Sequence, residues 1–287
     1  MKDIYAQVTN RIIEALETGT PPWVRPWQAS SDEPRNLLTE KPYRGVNVLM
    51  LYVEASLCSY VDNRWLTFKQ ANEIGARVRK GEHGTQIVFY RMREIKEGAL
   101  SNAAESDADA RRIPLLKTFT VFNVSQLDSV PEKFAACAQV AWSPIAAAEE
   151  TIANTGAVIQ HGGNRAFYRP TDDMIQLPSS TSFSKPEDYY ATALHELCHW
   201  TGHPRRLNRV LNGRRDIEAY AYEELIAEIG AAFLCAHCGL SARLEHASYV
   251  SSWLDALRRD KRLIFVAAGA AQKAADFVLG TVAIAAA

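Results

Sequence analysis

An α+β fold in two parts is what this sequence predicts: a small N-terminal half mixing helices and strands, then a mainly helical half. Three observations predict it. Over residues 1–130, apolar residues at helical spacing alternate with β-branched and aromatic runs. Over residues 143–287 the pattern becomes alanine-rich helix, interrupted by short strand-like runs. The stretch from Ser129 to Ser143, where the pattern changes, is the expected boundary. A chain of 287 residues, 47% hydrophobic and 23% charged, is long enough to bury a proper core.

Ile4, Tyr5, Val8, Ile12, Ile13 and Leu16 recur at helical spacing, and Gly19 ends the run. Pro21-Pro22-Trp23-Val24-Arg25-Pro26-Trp27 leaves regular structure, because each proline fixes φ and removes a donor; it reads as an extended segment presenting two indoles. Pro42 to Asn47 reads as a turn into an apolar helix from about Val48 to Leu57. Thr67-Phe68-Lys69-Gln70 has the form of a capping box opening a short helix that stops near Gly75. Gln86 to Tyr90 and Phe119 to Val124 read as paired strands, and the small, polar stretch at about 97–112 as a mobile loop between them. Beyond the boundary the expected order is a helix at 144–154, a strand at 157–161 and a hairpin of 166–168 and 174–177. Ser184-Lys185-Pro186-Glu187 then opens a helix with a capping hydroxyl and an early proline. Helices at 220–238 and 249–259 and an alanine-rich helix after Ile264 complete the chain.

A net charge of -1 excludes a polycation, so affinity for nucleic acid must come from a local patch. Met1-Lys2-Asp3-Ile4-Tyr5 lacks the apolar run of a signal peptide, and Lys273 and Asp276 interrupt the last helix, which argues against a membrane span. Five irregularly spaced cysteines make no disulfide framework. The expectation is a cytoplasmic protein with no membrane partner.

His195-Glu196-Leu197-Cys198-His199 supplies two imidazoles four residues apart, which on a helix share one face and reach one ion. Glu196 projects beside them, placed to take a proton from a water that the ion acidifies. Catalytic zinc keeps about three protein ligands and an open position, so a third donor is expected from a later helix. Glu223-Glu224-Leu225-Ile226-Ala227-Glu228 offers two carboxylates four apart. The order Glu-x-x-Ala-Glu resembles the second motif of glutamate-ligand zincins, which makes Glu224 the expected ligand and Glu228 the carboxylate that orients a histidine. Glu223 lies about 100° round the helix and is the less favoured ligand. His203 is the competing third ligand. Zn2+ is the expected ion, with another divalent ion such as Mn2+ as the alternative. Cys198 faces away from the ion, and Cys235 and Cys238 sit in an apolar helix without a second pair, so all three read as buried thiols.

Residues 64–93 carry Arg64, Lys69, Arg77, Arg79, Lys80, Arg91 and Arg93 against only Glu73 and Glu82. Trp65, Phe68, Phe89 and Tyr90 lie among them, and Trp23, Arg25, Trp27, Tyr43 and Arg44 precede them. A positive groove with aromatic platforms suits single-stranded DNA, because every base offers a stackable face and every nucleotide a phosphate. Composition leaves equally open that the aromatics build a small core and the charges a solvated face.

The runs Leu16-Glu17-Thr18-Gly19-Thr20-Pro21-Pro22-Trp23, Pro42-Tyr43-Arg44-Gly45-Val46-Asn47, Trp65-Leu66-Thr67-Phe68-Lys69-Gln70-Ala71 and Val78-Arg79-Lys80-Gly81-Glu82-His83-Gly84-Thr85 resemble the N-terminal domain of ArdC-type antirestriction proteins. That domain is similar to the N-terminal part of TraC-type plasmid primases. The second half, with Thr192 to His203 and Glu223 to Phe233, resembles the zincin-like metallopeptidase domain of the same family, with SprT-like and ImmA-like architecture. The resemblance implies a domain that binds single-stranded DNA without sequence preference, and duplex more weakly. It also implies a plasmid-borne protein that protects incoming conjugative DNA from host restriction. Carried over by position, His195, His199 and Glu224 are ligands and Glu196 the general base. Two functional expectations follow. One is a DNA-tethered metallopeptidase with an unknown protein substrate, for which a host restriction component is a candidate. The other is a protein that only binds DNA or a restriction enzyme, its metal site structural or inactive. A nuclease is disfavoured, since the chain lacks an obvious carboxylate-rich two-metal cluster.

Overall fold

The structure, a computed structural model, describes residues 3–18, 33–60, 62–95, 111–134, 144–183, 185–209, 217–240 and 247–281. The first helix, α1 (Ile4–Glu17), is opened by Asp3, whose carboxylate accepts from the Ala6 N–H. After β1 (Arg35–Asn36) come α2 (Val46–Leu57), β2 (Arg64–Thr67) and α3 (Phe68–Glu73). The capping box of α3 forms as the spacing predicts, with Thr67 and Gln70 as its reciprocal partners. Next are β3 (Arg77–Val78), β4 (Thr85–Ile95), β5 (Arg111–Asn123) and β6 (Leu127–Asp128). The main sheet has the order β1-β2-β5-β4, with β4 and β5 antiparallel, and β3 pairs with β6. The expected Pro-Trp segment 21–27 lies outside the described residues. So does the expected loop 97–112, apart from Arg111 and Arg112, which open β5.

The second half begins with α4 (Pro144–Asn154) and a three-stranded sheet of β7 (Val158–His161), β8 (Phe167–Arg169) and β9 (Met174–Leu177), in the order β7-β9-β8. Four helices follow: α5 (Pro186–Thr201), α6 (Ile217–Cys238), α7 (Ala247–Arg259) and α8 (Leu263–Val278). The start of α5 departs from expectation. Its N-cap is Lys185, which makes no side-chain capping bond, and Ser184 lies outside the described residues. Pro186 in the first turn, with Glu187 and Asp188 near the helix N-terminus, is what starts it. Arg206 ties the end of α5 to the small sheet, its guanidinium 3.8 Å above the Trp200 ring and bonded to Asp173. Among the described residues no helix is long and apolar enough to cross a membrane.

One hydrophobic core runs through both halves. Val8, Ile12 and Leu16 of α1 and Leu49, Tyr52 and Val53 of α2 cluster with Leu194, Leu197, Leu225, Ile229, Trp253 and Ala271. Polar contacts cross at the same place: the Thr9 hydroxyl donates to the Lys261 carbonyl at 2.6 Å, the Gly45 N–H donates to Gln272 Oε1 at 3.0 Å, and Arg44 pairs with Asp276. The opposite side of α2 also has a task. Leu51 and Ala55 pack on Trp65, Ile87 and Val121 of the main sheet. Burial on two sides explains why the α2 sequence is almost wholly apolar. The halves thus share the largest cluster, beside two smaller ones confined to the first half. Leu49 is fully buried, so Leu49→Ala is expected to cost about 2–5 kcal/mol. Calorimetry should show one cooperative transition for wild type and variant alike; separate transitions for the two halves would contradict a shared core.

Candidate metal centre

Two helices build the site. The α5 helix carries His195, Glu196 and His199, and α6 carries Glu223, Glu224 and Glu228. They approach closely because Gly230 faces Cys198. A Cβ at position 230 would lie 2.8 Å from the Cys198 sulfur, well inside the roughly 3.5–4 Å optimum for non-bonded heavy atoms. Cys198, Cys235 and Cys238 are buried and free, and burial pushes the Cys198 thiol up to about 12, which makes it inert packing at neutral pH.

The ligand atoms of His195, His199 and Glu224 meet at one point. The two Nε2 atoms are 3.2 Å apart. Glu224 reaches both rings, with Oε2 3.5 Å from His195 Nε2 and Oε1 3.6 Å from His199 Nε2. Donors about 2.0–2.1 Å from a tetrahedral ion stand about 3.3 Å from one another, close to these separations, so the two Nε2 atoms and a Glu224 oxygen are near enough to share such a sphere. His203, the competing ligand, is not among them; its Nδ1 accepts from the Arg205 N–H.

The surrounding charge also fits a cation. Glu196, Glu223, Glu224 and Glu228 are all buried, at 7%, 5%, 6% and 1% exposure. Uncompensated carboxylates at such depth are costly. Arg209 offsets one of them. Its Nε and Nη2 donate to Glu223 at 3.0 and 2.7 Å, while Nη1 donates to Thr201 Oγ1 and Nη2 to the Cys198 carbonyl. Glu223 Oε1 in turn lies 3.3 Å from His199 Nδ1, which turns the Nε2 lone pair toward the centre. Burial alone would lower His199, but Glu223 and Glu224 carry it up to about 10. Burial would raise Glu224, yet the two imidazoles hold its carboxyl well below the usual carboxylate range. Burial lowers His195, against the pull of Glu224. Protons and a cation therefore compete for the same atoms.

Glu223 is the residue that spacing missed. The helical wheel makes it the less favoured ligand, and it is the carboxylate that touches the far nitrogen of a ligand histidine. Glu228, expected in that role, is buried one turn further along α6.

The residues expected to meet DNA scatter more. Trp65 requires a correction: it is fully buried in a central strand beneath α2, so it serves the core and offers no face to a base. Tyr43 is half-buried against the core, and Arg44 pairs with Asp276. Arg79 is engaged with Glu82 and the Ser125 carbonyl. Lys69, Arg77 and Lys80 are exposed. Arg91 lies on β4 with its side chain outside what is described, and Trp23, Arg25 and Trp27 lie outside the described residues.

Replacing Glu223 by Gln removes the charge behind His199 and is expected to weaken metal affinity about 10- to 100-fold while leaving stoichiometry at one. Chelator competition measures this. Because an ion needs neutral imidazole and His199 binds its proton tightly, apparent metal affinity should rise with pH through neutrality. An affinity independent of pH in calorimetric titration would contradict that arrangement.

Comparison with known proteins places the chain. Residues 2–122 match the family model for the N-terminal domain of the anti-restriction factor ArdC, and residues 146–270 match that for a zincin-like metallopeptidase. DNA primase TraC of Escherichia coli is 41% identical over 293 residues, covering 97% of this chain but only 27% of the primase, so the chain spans about a quarter of that relative. The uncharacterized protein y4eC of Sinorhizobium fredii is 38% identical over 282 residues, covering 96% of this chain and 91% of its own. The metal-free crystal structure of the antirestriction protein ArdC from plasmid R388 superposes with a TM-score of 0.79 at 43% identity, over 97% of each chain. Its Mn(II)-bound structure gives 0.77 at 41%, over 97% of this chain and 98% of that one. With both halves matched in order and a full-length relative of the same architecture, the chain belongs to the ArdC family of antirestriction proteins, with a zincin-like metallopeptidase domain.

Proposed function

We propose that this chain is a plasmid-borne, cytoplasmic antirestriction protein that binds single-stranded DNA without sequence preference and protects incoming conjugative DNA from host restriction. Its second half is a metal-dependent peptidase whose protein substrate is unknown. The observation that carries the enzymatic part is the meeting of His195, His199 and Glu224 at tetrahedral spacing on two tightly packed helices. The Mn(II)-bound R388 relative supports a divalent ion, and two imidazoles with a carboxylate are a donor set that zinc takes in catalytic sites. A divalent ion there supplies Lewis acidity toward a carbonyl oxygen and lets a water be deprotonated near neutral pH.

The chain's own groups do the rest. His195, His199 and Glu224 hold the ion, Glu223 and Arg209 fix the orientation of His199, and Glu196 accepts the proton from the attacking water and returns it to the departing amine. The primase relatives and the matched N-terminal domain support DNA as the partner of the first half. Coating of the entering strand is the step that would oppose restriction, with peptidase activity retained beside it.

Glu196→Gln should bind metal as wild type does and lose about 10²–10⁴-fold in peptide-bond cleavage, followed with quenched-fluorescence peptides. Equal cleavage by the variant would remove Glu196 from the mechanism. Affinity for an oligothymidylate should fall steeply with salt, by a slope of about 0.7 per phosphate contacted; a flat response would point to a protein-binding N-terminal half and an inactive or structural metal.

A further inference from the structure

With Trp65 buried, a stacking surface must lie elsewhere, and the main sheet carries large apolar side chains that face solvent. Phe89 is 53% and Phe119 46% exposed. They sit on neighbouring strands in the register Ile87↔Phe119 and Phe89↔Lys117. Alternation therefore places Phe89, Phe119 and Lys117 on the face that also holds Ile87 and Val121. Ile87 and Val121 are covered by Leu51 and Ala55 of α2, whereas the two phenylalanine rings stand beyond that cover. The rings meet edge to face, 6.2 Å between centroids at 86°. Lys117 is exposed and makes no ion pair among the described residues.

From this placement we propose that Phe89 and Phe119, with Lys117 between strand neighbours, form the base-stacking platform for single-stranded nucleic acid. The inference rests on the strand-binding reading above and adds where the bases sit. Two features select a single strand over other occupants. One is that exposed aromatic faces are met by unpaired bases, whose own faces are free to stack, whereas a duplex keeps its bases stacked on one another. The other is Lys117, opposite Phe89 in the register and without an ion pair among the described residues, a cation of the kind a phosphate needs and an apolar protein surface does not. A partner strand adding to the sheet is blocked where the rings lie. β4 is the edge strand, and Asn47 already occupies its free edge: the Asn47 amide donates to the Val88 carbonyl and accepts from the Val88 N–H, both at 2.8 Å.

The test uses the full chain and a fluorescent oligothymidylate as probe. Each stacked base contributes about 5- to 150-fold to affinity, so F89A/F119A should weaken binding by at least about 10-fold. Tryptophan at both positions should restore it, since an indole stacks as well. Both side chains are half exposed, so the melting temperature and metal content of the alanine variant should match wild type. Should that variant fold poorly, the single substitution F119W decides: indole quenching by the oligonucleotide beyond that of wild type supports the platform, and quenching no greater than wild type overturns it. If wild type binds the probe and the folded alanine variant binds equally well, the platform is wrong while the strand-binding reading stands. If wild type binds no oligonucleotide, both fall.

Discussion

The packing of α5 against α6 is the constraint on which the site depends. Histidines on one helix and a glutamate on another complete a single coordination sphere only if the helix axes come close. Here Gly230 leaves room for the Cys198 sulfur, and the Ala271 carbonyl of α8 lies 3.6 Å from where a Cβ would be. A methyl at position 230 would therefore press α6 against the Cys198 sulfur of α5, while the α8 carbonyl would sit in ordinary contact with it. The same approach buries four carboxylates near two imidazoles, an arrangement that is costly in itself and becomes favourable with a cation among the donors. Packing and electrostatics thus specify the same ion site by independent routes.

The shared core changes how the two halves relate. A DNA-binding domain on a loose linker would only raise the local concentration of a peptidase. In this fold α2 lies between the main sheet and the helical half and is buried on both sides. Asn47 at its start holds the edge of β4, and Gly45 and Arg44 just before it are bonded to Gln272 and Asp276 of α8. The sheet is therefore seated directly on the scaffold that carries the metal ligands.

Much of this was legible in the sequence, and the failures have physical reasons. Helix and strand positions followed from periodicity, from the Thr67–Gln70 capping box and from Pro186, all of which act locally. The spacing of His195 and His199 encoded their meeting, because residues four apart on a helix share a face whatever the rest of the fold does. Glu224 was legible only through the resemblance of Glu-x-x-Ala-Glu to a zincin motif, and it reaches them through the packing of α6 on α5. Trp65 was misread because a four-residue strand is too short for alternation to show which side is covered; α2 supplies the cover, and that is a tertiary fact. Glu223 was passed over because the helical wheel ranks carboxylates by whether they share the ligand's direction. An imidazole has nitrogens on opposite sides, so the group behind it approaches from a different angle than the group sharing its ion. Arg209, held in the turn after α5, has no periodic signature at all.

X-ray absorption on the zinc-loaded full chain tests the central claim most directly, because it reads which atoms surround the ion. The account predicts two imidazole nitrogens at about 2.0–2.1 Å and carboxylate oxygen at about 2.0–2.2 Å, with no sulfur. A sulfur shell at about 2.3 Å, placing a cysteine on the ion, or a sphere with a single imidazole would contradict it.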